Sequence, residues 1–161
     1  MPTDNRNTAK LVAKIGAGAL ALAMPVVAYY EGYRATVYSD PIGRSAVCYG
    51  HDDPTLKLGT TYTLAQCQQM LADDLLKHAA AFDCIKPPLP LSDSQKAAIL
   101  SLAFNIGVPR FCGSTFARRI TAGELPQACE ELSKFIFAGG KILPGLQRRR
   151  AAERQMCESV S

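Results

Sequence analysis

The sequence contains no tryptophan, and none of its cysteines stands in a C-x-x-C pair. Its two histidines, His51 and His78, complete no zinc-ligand pattern. Neither a metal site nor a cofactor is therefore expected. There is no internal repeat and no low-complexity tract. Charge is scarce as well: 20% of residues are charged against 48% hydrophobic, which excludes wholesale disorder. The net charge of +4 is mild and diffuse. It suits an anionic partner such as a cell wall or membrane surface, and does not by itself indicate nucleic acid.

What the chain does have is six cysteines in 161 residues: Cys48, Cys67, Cys84, Cys112, Cys129 and Cys157. That length suits one domain, able to bury a core without staples. An even, scattered set of cysteines fits an oxidising compartment outside the cytoplasm. The plainer alternative is six buried thiols packed as small hydrophobes. Six cysteines allow fifteen pairings, so connectivity does not follow from spacing.

An oxidising compartment requires export. Residues 11–30 read LVAKIGAGALALAMPVVAYY, with Lys14 as the one charge. Twenty residues is about the length that crosses the hydrocarbon core. Eight of the twenty are Ala or Gly, and Pro25 interrupts, so the run is weak for a permanent span. Arg6, Lys10 and Lys14 sit on its N-terminal side, which leaves the N-terminus in the cytoplasm and sends the rest outward. The run reads as a cleaved signal peptide with Ala21-Leu22-Ala23 as the small-x-small site, as a permanent anchor, or as a marginal anchor inserted and later released. A buried Ala-rich helix of a soluble domain stays open beside these. The Gly/Ala richness fits the marginal anchor best.

Residues 34–62 lose helical periodicity. Short β-prone runs, Ala35–Tyr38 and Val47–Tyr49, are separated by turn signals at Asp40-Pro41 and Ile42-Gly43. From Thr63 onward the pattern is helical. Thr63-x-x-Gln66 is a capping box opening a helix to about residue 80, and Ser92-x-x-Gln95 opens another through Ala98, Leu102 and Ile106. Pro87, Pro88 and Pro90 break the chain between them, and Gly107 and Pro109 stop the second. Ser114 caps a short helix ending near Gly123. A further helix is expected from Glu124 to about Ala138, stopped by Gly139-Gly140, and a last one from Gly145 to about Cys157. The fold class expected is α+β, mainly helical, with a small antiparallel sheet near the N-terminus.

Glu31 follows the apolar run directly, and Asp40 lies nine positions later in a turn. Glycoside hydrolysis needs two carboxyl groups in unequal surroundings. One is kept protonated by apolar neighbours, and the other stays ionised in a polar place. Glu31 suits the first role and Asp40 the second. On bare sequence, two solvated surface charges would explain the pair as well.

The surrounding residues change that balance. Glu31-Gly32-x-Arg34, Tyr38-x-Asp40-Pro41-x-Gly43 and Val47-Cys48-Tyr49-Gly50-His51 resemble the phage-type lysozymes of glycoside hydrolase family 24. Ala103-Phe104-Asn105-Ile106-Gly107, Ser114-Thr115, Gly145-Leu146, Arg149-Arg150 and Glu153-Arg154 follow in the family's order, so the resemblance covers about residues 29 to 157. The cysteine-bearing lambdoid endolysins are most similar, and the apolar N-terminus resembles their signal-arrest-release subgroup.

The resemblance implies a lysozyme-like fold, with residues 1–30 as an export segment and residues 31–161 as the catalytic domain. It implies cleavage of the β-1,4 bond between N-acetylmuramic acid and N-acetylglucosamine in peptidoglycan, and so host-cell lysis. Glu31 would be the general acid, and Asp40 would direct water to the opposite face with inversion. A carboxyl separation of about 6.5–9.5 Å goes with that outcome. The family's third position, separated from the Asp by five residues, is Thr; here it is Ala46. Ser45 is adjacent, but neighbouring side chains on a strand point to opposite faces, so it substitutes only across a kink.

By the same resemblance, His51 is a structural residue paired with Asp74, and Phe104, Asn105 and Ser114 belong to the sugar cleft. His78 reads as solvated. The run Arg148-Arg149-Arg150 reads as a solvated helix face, or else one member, Arg149 by choice, faces Glu31. The pairings expected in this context are Cys48–Cys67, Cys84–Cys112 and Cys129–Cys157. The protein is expected to be monomeric, without nucleic acid, transiently tethered to the inner membrane through residues 11–30, and then periplasmic. If residues 11–30 span the membrane, Glu31 is held at the interface and the enzyme is inactive until release. Two rivals remain: a lysozyme-like module that grips peptidoglycan without cutting it, motivated by Ala46, and membrane disruption by the N-terminal segment alone. A clear polar face is missing from that segment, which counts against the second.

Overall fold

The apolar run does not form one helix. A computed structural model describes residues 5–86 and 89–159, and in it the run divides into α1 (Arg6–Ile15) and α2 (Ala17–Glu31). The break is Gly16, whose φ of 92° lies in the left-handed region that glycine adopts without a steric penalty. The two helices bend by 111° there. Among the described residues no single helix is long and apolar enough to cross a membrane, although this bent pair has the length and composition together. Pro87 and Pro88, read above as chain breakers, lie outside the described residues, as do residues 1–4 and 160–161.

Both helices turn one face inward. Leu11, Ile15, Ala19, Leu20, Ala23 and Val27 are buried with Leu71, Leu75, Ala97 and Leu100. Gly18 leaves room for the Asp93 carboxylate: a Cβ there would lie 2.0 Å from Asp93 Oδ2, so that side chain would have to swing away. That carboxylate sits at the positive end of α2, where the helix dipole favours it.

Next come three antiparallel strands in the order β1 (Arg34–Ser39), β2 (Ser45–Cys48) and β3 (His51–Asp52). Tyr38 pairs with Ala46 and Val47 with His51, and a bulge lies between Arg34 and Tyr38. Val37, Val47, Cys48 and Cys67 form a small core under the sheet. The third strand is too short to carry a sequence pattern.

The two capping boxes open helices where expected. Thr63 Oγ1 accepts from Gln66 N at 3.2 Å to start α3 (Leu64–His78), and Ser92 Oγ accepts from Gln95 N at 3.1 Å to start α4 (Asp93–Ile106). α4 is apolar on nearly every side because it is buried on nearly every side. Ala97 and Leu100 face the N-terminal helices, while Ile99, Leu102 and Ala103 face a second core built around Phe111, Phe116, Ile120 and Leu132. α5 (Val108–Cys112), α6 (Thr115–Thr121) and α7 (Leu125–Glu131) enclose that core, and α8 (Pro144–Glu158) closes it.

The helix expected from Glu124 to Ala138 is cut short. It ends at Glu131, passes through a single 3-10 turn, and gives way to a hairpin of β4 (Phe137–Ala138) and β5 (Lys141–Ile142). Gly139 and Gly140, both at positive φ, form the turn of this hairpin and do not terminate a helix. Three disulfides hold the fold: Cys48–Cys67, Cys84–Cys112 and Cys129–Cys157.

Candidate active site

Glu31 is the last residue of α2, and Gly32 turns the chain away at φ 75°. Its carboxylate does not meet apolar neighbours, as the sequence had suggested. Arg149 Nη1 donates to Oε1 at 2.5 Å. Opposite, Gly50 in the β2–β3 turn comes so close that a Cβ there would lie 3.6 Å from Oε2. The turn is tight enough to hold Cys48 at φ 62°, a conformation rare outside glycine.

Arg149 and Arg150 are 3% and 2% exposed, so the solvated helix face expected for the basic run holds only for Arg148. Arg149 donates from Nε to Glu153 Oε1 at 3.2 Å and from Nη2 to the Ser101 carbonyl at 3.2 Å. Its guanidinium also lies 5.7 Å from the centre of the Tyr30 ring. Arg150 pairs with Glu153 through Nε at 2.8 Å and donates to Asn105 Oδ1 at 2.9 Å. Burial pushes Arg150 down to about 10, which leaves it charged at neutral pH. The residues missed by sequence reasoning are therefore Ser101, Arg150 and Glu153. Their signal was present as Arg149 and Arg150 spaced four and three positions before Glu153, but that spacing is common on exposed helices.

An open cleft of about 780 Å³ runs along this pair. Tyr29, Tyr30 and Glu31 of α2, Asn105 of α4, and Leu143, Pro144, Leu146, Arg148 and Arg149 at the start of α8 line it. Asp40, Ser45, Ala46, Phe104 and Ser114 are not among its lining. Asp40 caps its own turn: Oδ1 accepts from Ile42 N at 3.0 Å and from Arg44 N at 2.8 Å. These turn bonds all fall on Oδ1. Ala46 is buried in β2 between Tyr38 and Asp52, while Ser45 lines a separate groove with Arg44, Asp52 and Asp53.

His51 Nδ1 lies 2.8 Å from Asp74 Oδ2. The hydrogen bond that the ring donates to the Asp74 carboxylate holds the imidazole above its ordinary value of 6.5, against burial. His78 is not solvated: its Nδ1 lies 2.7 Å from the Asp74 carbonyl oxygen, and its ring packs 4.8 Å from Phe104. Phe104 is thereby half-buried in the N-terminal core. Ser114 caps α6, accepting from Ala117 N at 3.1 Å and donating to the Phe111 carbonyl at 2.6 Å. Among the described residues no group of His, Cys, Asp and Glu is arranged to hold a metal ion.

Residues 28–153 match the family model described as phage lysozyme. The chain is 36% identical over 164 residues to the SAR-endolysin of Enterobacteria phage P21, covering 98% of this chain and 97% of that one. Among solved structures it is similar to the endolysin from Escherichia coli O157:H7 phage FAHEc1, with a TM-score of 0.78, 26% identity, and 91% and 94% of the two chains covered. It is likewise similar to the muramidase domain of SpmX from Asticcacaulis excentricus, with a TM-score of 0.77, 28% identity, and 89% and 95% covered.

Proposed function

The chain belongs to the phage lysozyme family, and from that premise we propose that it is an endolysin of the signal-arrest-release type in which Glu31 and Asp40 carry the reaction. Membership makes it a muramidase and peptidoglycan its substrate. The observation that carries the assignment of Glu31 is its pairing with Arg149 at the wall of the cleft.

Glu31 donates its proton to the glycosidic oxygen as the bond to the sugar breaks and positive charge spreads over the ring. Proton donation leaves a carboxylate, and Arg149, already aimed at it, stabilises that product without reorganising. Asp40 directs water to the other face. Its Oδ1 is committed to turn N–H groups, which holds the carboxylate in place and leaves Oδ2 outside those turn bonds. Glu31→Gln keeps the shape and removes the proton, so muralytic activity falls by about 10²–10⁴-fold. Purified Glu31→Gln that still digests peptidoglycan at the normal rate would sink the assignment.

Residues 11–30 first tether the enzyme to the inner membrane, with Arg6, Lys10 and Lys14 on the cytoplasmic side. Once released into the periplasm, the same residues form α1 and α2 and dock on α3 and α4. Two features support this order. Ala and Gly bury little apolar area, so the cost of leaving lipid is low. Glu31 also ends α2, so it reaches Arg149 only when α2 has docked. Residues 1–30 are thus a tether first and part of the catalytic domain, residues 31–161, afterwards. In the released state the enzyme works as a monomer.

A second reading has one observation behind it. Ala46 stands where the family has a hydroxyl, and it lacks any group to hold water. In that reading the protein grips peptidoglycan and cuts it slowly or not at all. Ala46→Thr separates the two: a large gain in released muropeptides favours a weakened enzyme, and no activity in either form favours a binding protein. Ser45, on its separate groove, is the residue to vary beside it.

A further inference from the structure

Glu153 is fully buried, and no step of the reaction above uses it. Three hydrogen-bond donors and one further ion-pair contact meet its carboxylate. Ser101 Oγ at 2.6 Å, Arg149 Nε at 3.2 Å and Arg150 Nη2 at 3.1 Å reach Oε1, and Arg150 Nε lies 2.8 Å from Oε2. A protonated carboxyl would turn a hydrogen toward one of these donors, so the set selects the ionised form. Burial acts the other way and pushes the Glu153 carboxyl up, while the two guanidiniums oppose it.

Arg149 links this cluster to the cleft. Glu153 holds its Nε and the Ser101 carbonyl holds its Nη2, which leaves Nη1 for Glu31. A planar guanidinium bonded along three directions does not turn without breaking two buried bonds. We propose that Glu153 is a positioning residue for this reaction: it aims Arg149 at Glu31 and, with Arg150, sets the net charge that Glu31 faces. The proposal rests on Glu31 being the general acid.

The charges around Glu31 are few. α8 supplies Arg148 at the cleft wall and the cluster of Arg149, Arg150 and Glu153, whose net charge is one positive. α2 supplies the phenols of Tyr29 and Tyr30, α4 supplies neutral Asn105, and the β2–β3 turn brings the backbone of Gly50. Arg110 of α5 acts on Arg150 from behind. His51 and Asp40 belong to the sheet and do not line the cleft. Removing Glu153's charge therefore raises the net charge of that cluster from one positive to two, and removing Arg150's lowers it to zero, with Arg148 unchanged in both.

The test follows the titration of Glu31 itself, through the carbon-13 shift of its carboxyl group in the full-length protein, beside the rate–pH profile on purified peptidoglycan. In Glu153→Gln the titration and the alkaline limb of the profile move together to lower pH, by about one unit. In Arg150→Gln both move to higher pH. The double variant restores the charge and returns both toward the unmodified protein. Ser101→Ala removes a hydrogen bond but no charge, so it lowers the melting temperature and moves neither. Where Glu153→Gln does not fold, Arg150→Gln and the double variant decide. A Glu31 titration that stays put in Arg150→Gln, or shifts the same way in both single variants, overturns the proposal and leaves the cluster a purely structural one. Failure of Glu31 as the acid reads differently: Glu31→Gln stays active, while the titration of Glu31 still follows the charge.

Discussion

Helices α2 and α8 each deliver one half of the Glu31–Arg149 pair, and they are held in opposite ways. α2 docks through Ala19, Leu20, Ala23 and Val27, and no cysteine occurs in residues 1–47. α8 docks through Arg149, Arg150 and Glu153, and Cys157 bonds it to Cys129 on α7. A buried ion cluster is satisfied in one geometry only, because each displaced charge is left unpaired away from water. An Ala-rich apolar face is nearly indifferent to whether its methyl groups meet lipid or protein. Under the proposed release from the membrane, the element that carries Glu31 is the exchangeable one, and the element that carries Arg149 is the fixed one.

Reduction tests the fixed side and has the largest expected effect. The three bridges span 19, 28 and 28 residues, and each is worth about 3–4 kcal/mol by loop entropy. Urea melts with and without reductant should differ by several kcal/mol, and hydrogen exchange in α8 should rise. Unchanged melts would mean that packing and ions alone fix α8.

The exchangeable side is tested by where leucine is placed. Ala19 and Ala23 are fully buried, so Ala19→Leu and Ala23→Leu overpack the core and destabilise the released protein by about 1–3 kcal/mol each. Ala13, Ala17 and Ala21 are exposed in the fold, so leucine there changes its stability by only about 0.5 kcal/mol. The exposed trio should still hold the protein in the membrane and delay lysis, read by membrane fractionation and culture turbidity. Release and lysis on the normal schedule would break the proposed switch.

The smallest effect concerns the sheet. His51 is held above 6.5 by Asp74, so the pair's contribution is fully present below 6.5 and fades as pH rises through the raised value. The melting temperature of the unmodified protein should fall by about 2–4 °C across that range relative to His51→Asn. Parallel pH profiles for the two would show that the pair contributes nothing.

Local signals were legible where local chemistry decides. Thr63 with Gln66 and Ser92 with Gln95 announced two helix starts, since a capping box closes its hydrogen bonds within four residues. Glu31, Asp40 and the family motifs were equally readable. The split at Gly16 was not, because an apolar run looks the same whether it is straight or bent by 111°. Nor was the hairpin around Gly139-Gly140, whose strands of two residues are too short to show alternation. His78 read as solvated because only the fold brings Phe104 onto its ring.

By itself, the sequence determined the family, the two candidate catalytic carboxylates and the weakness of the first apolar segment, because these depend on residue identity and spacing along the chain. Tertiary structure alone decided that Arg149 rather than Arg148 meets Glu31, and that Glu153 lies fully buried behind it. The physical reason is long-range: a charged residue on a helix costs little in water and several kcal/mol in a core unless paired. Which of the two it meets depends on the packing of α2, from the other end of the chain, and of α4, from its middle.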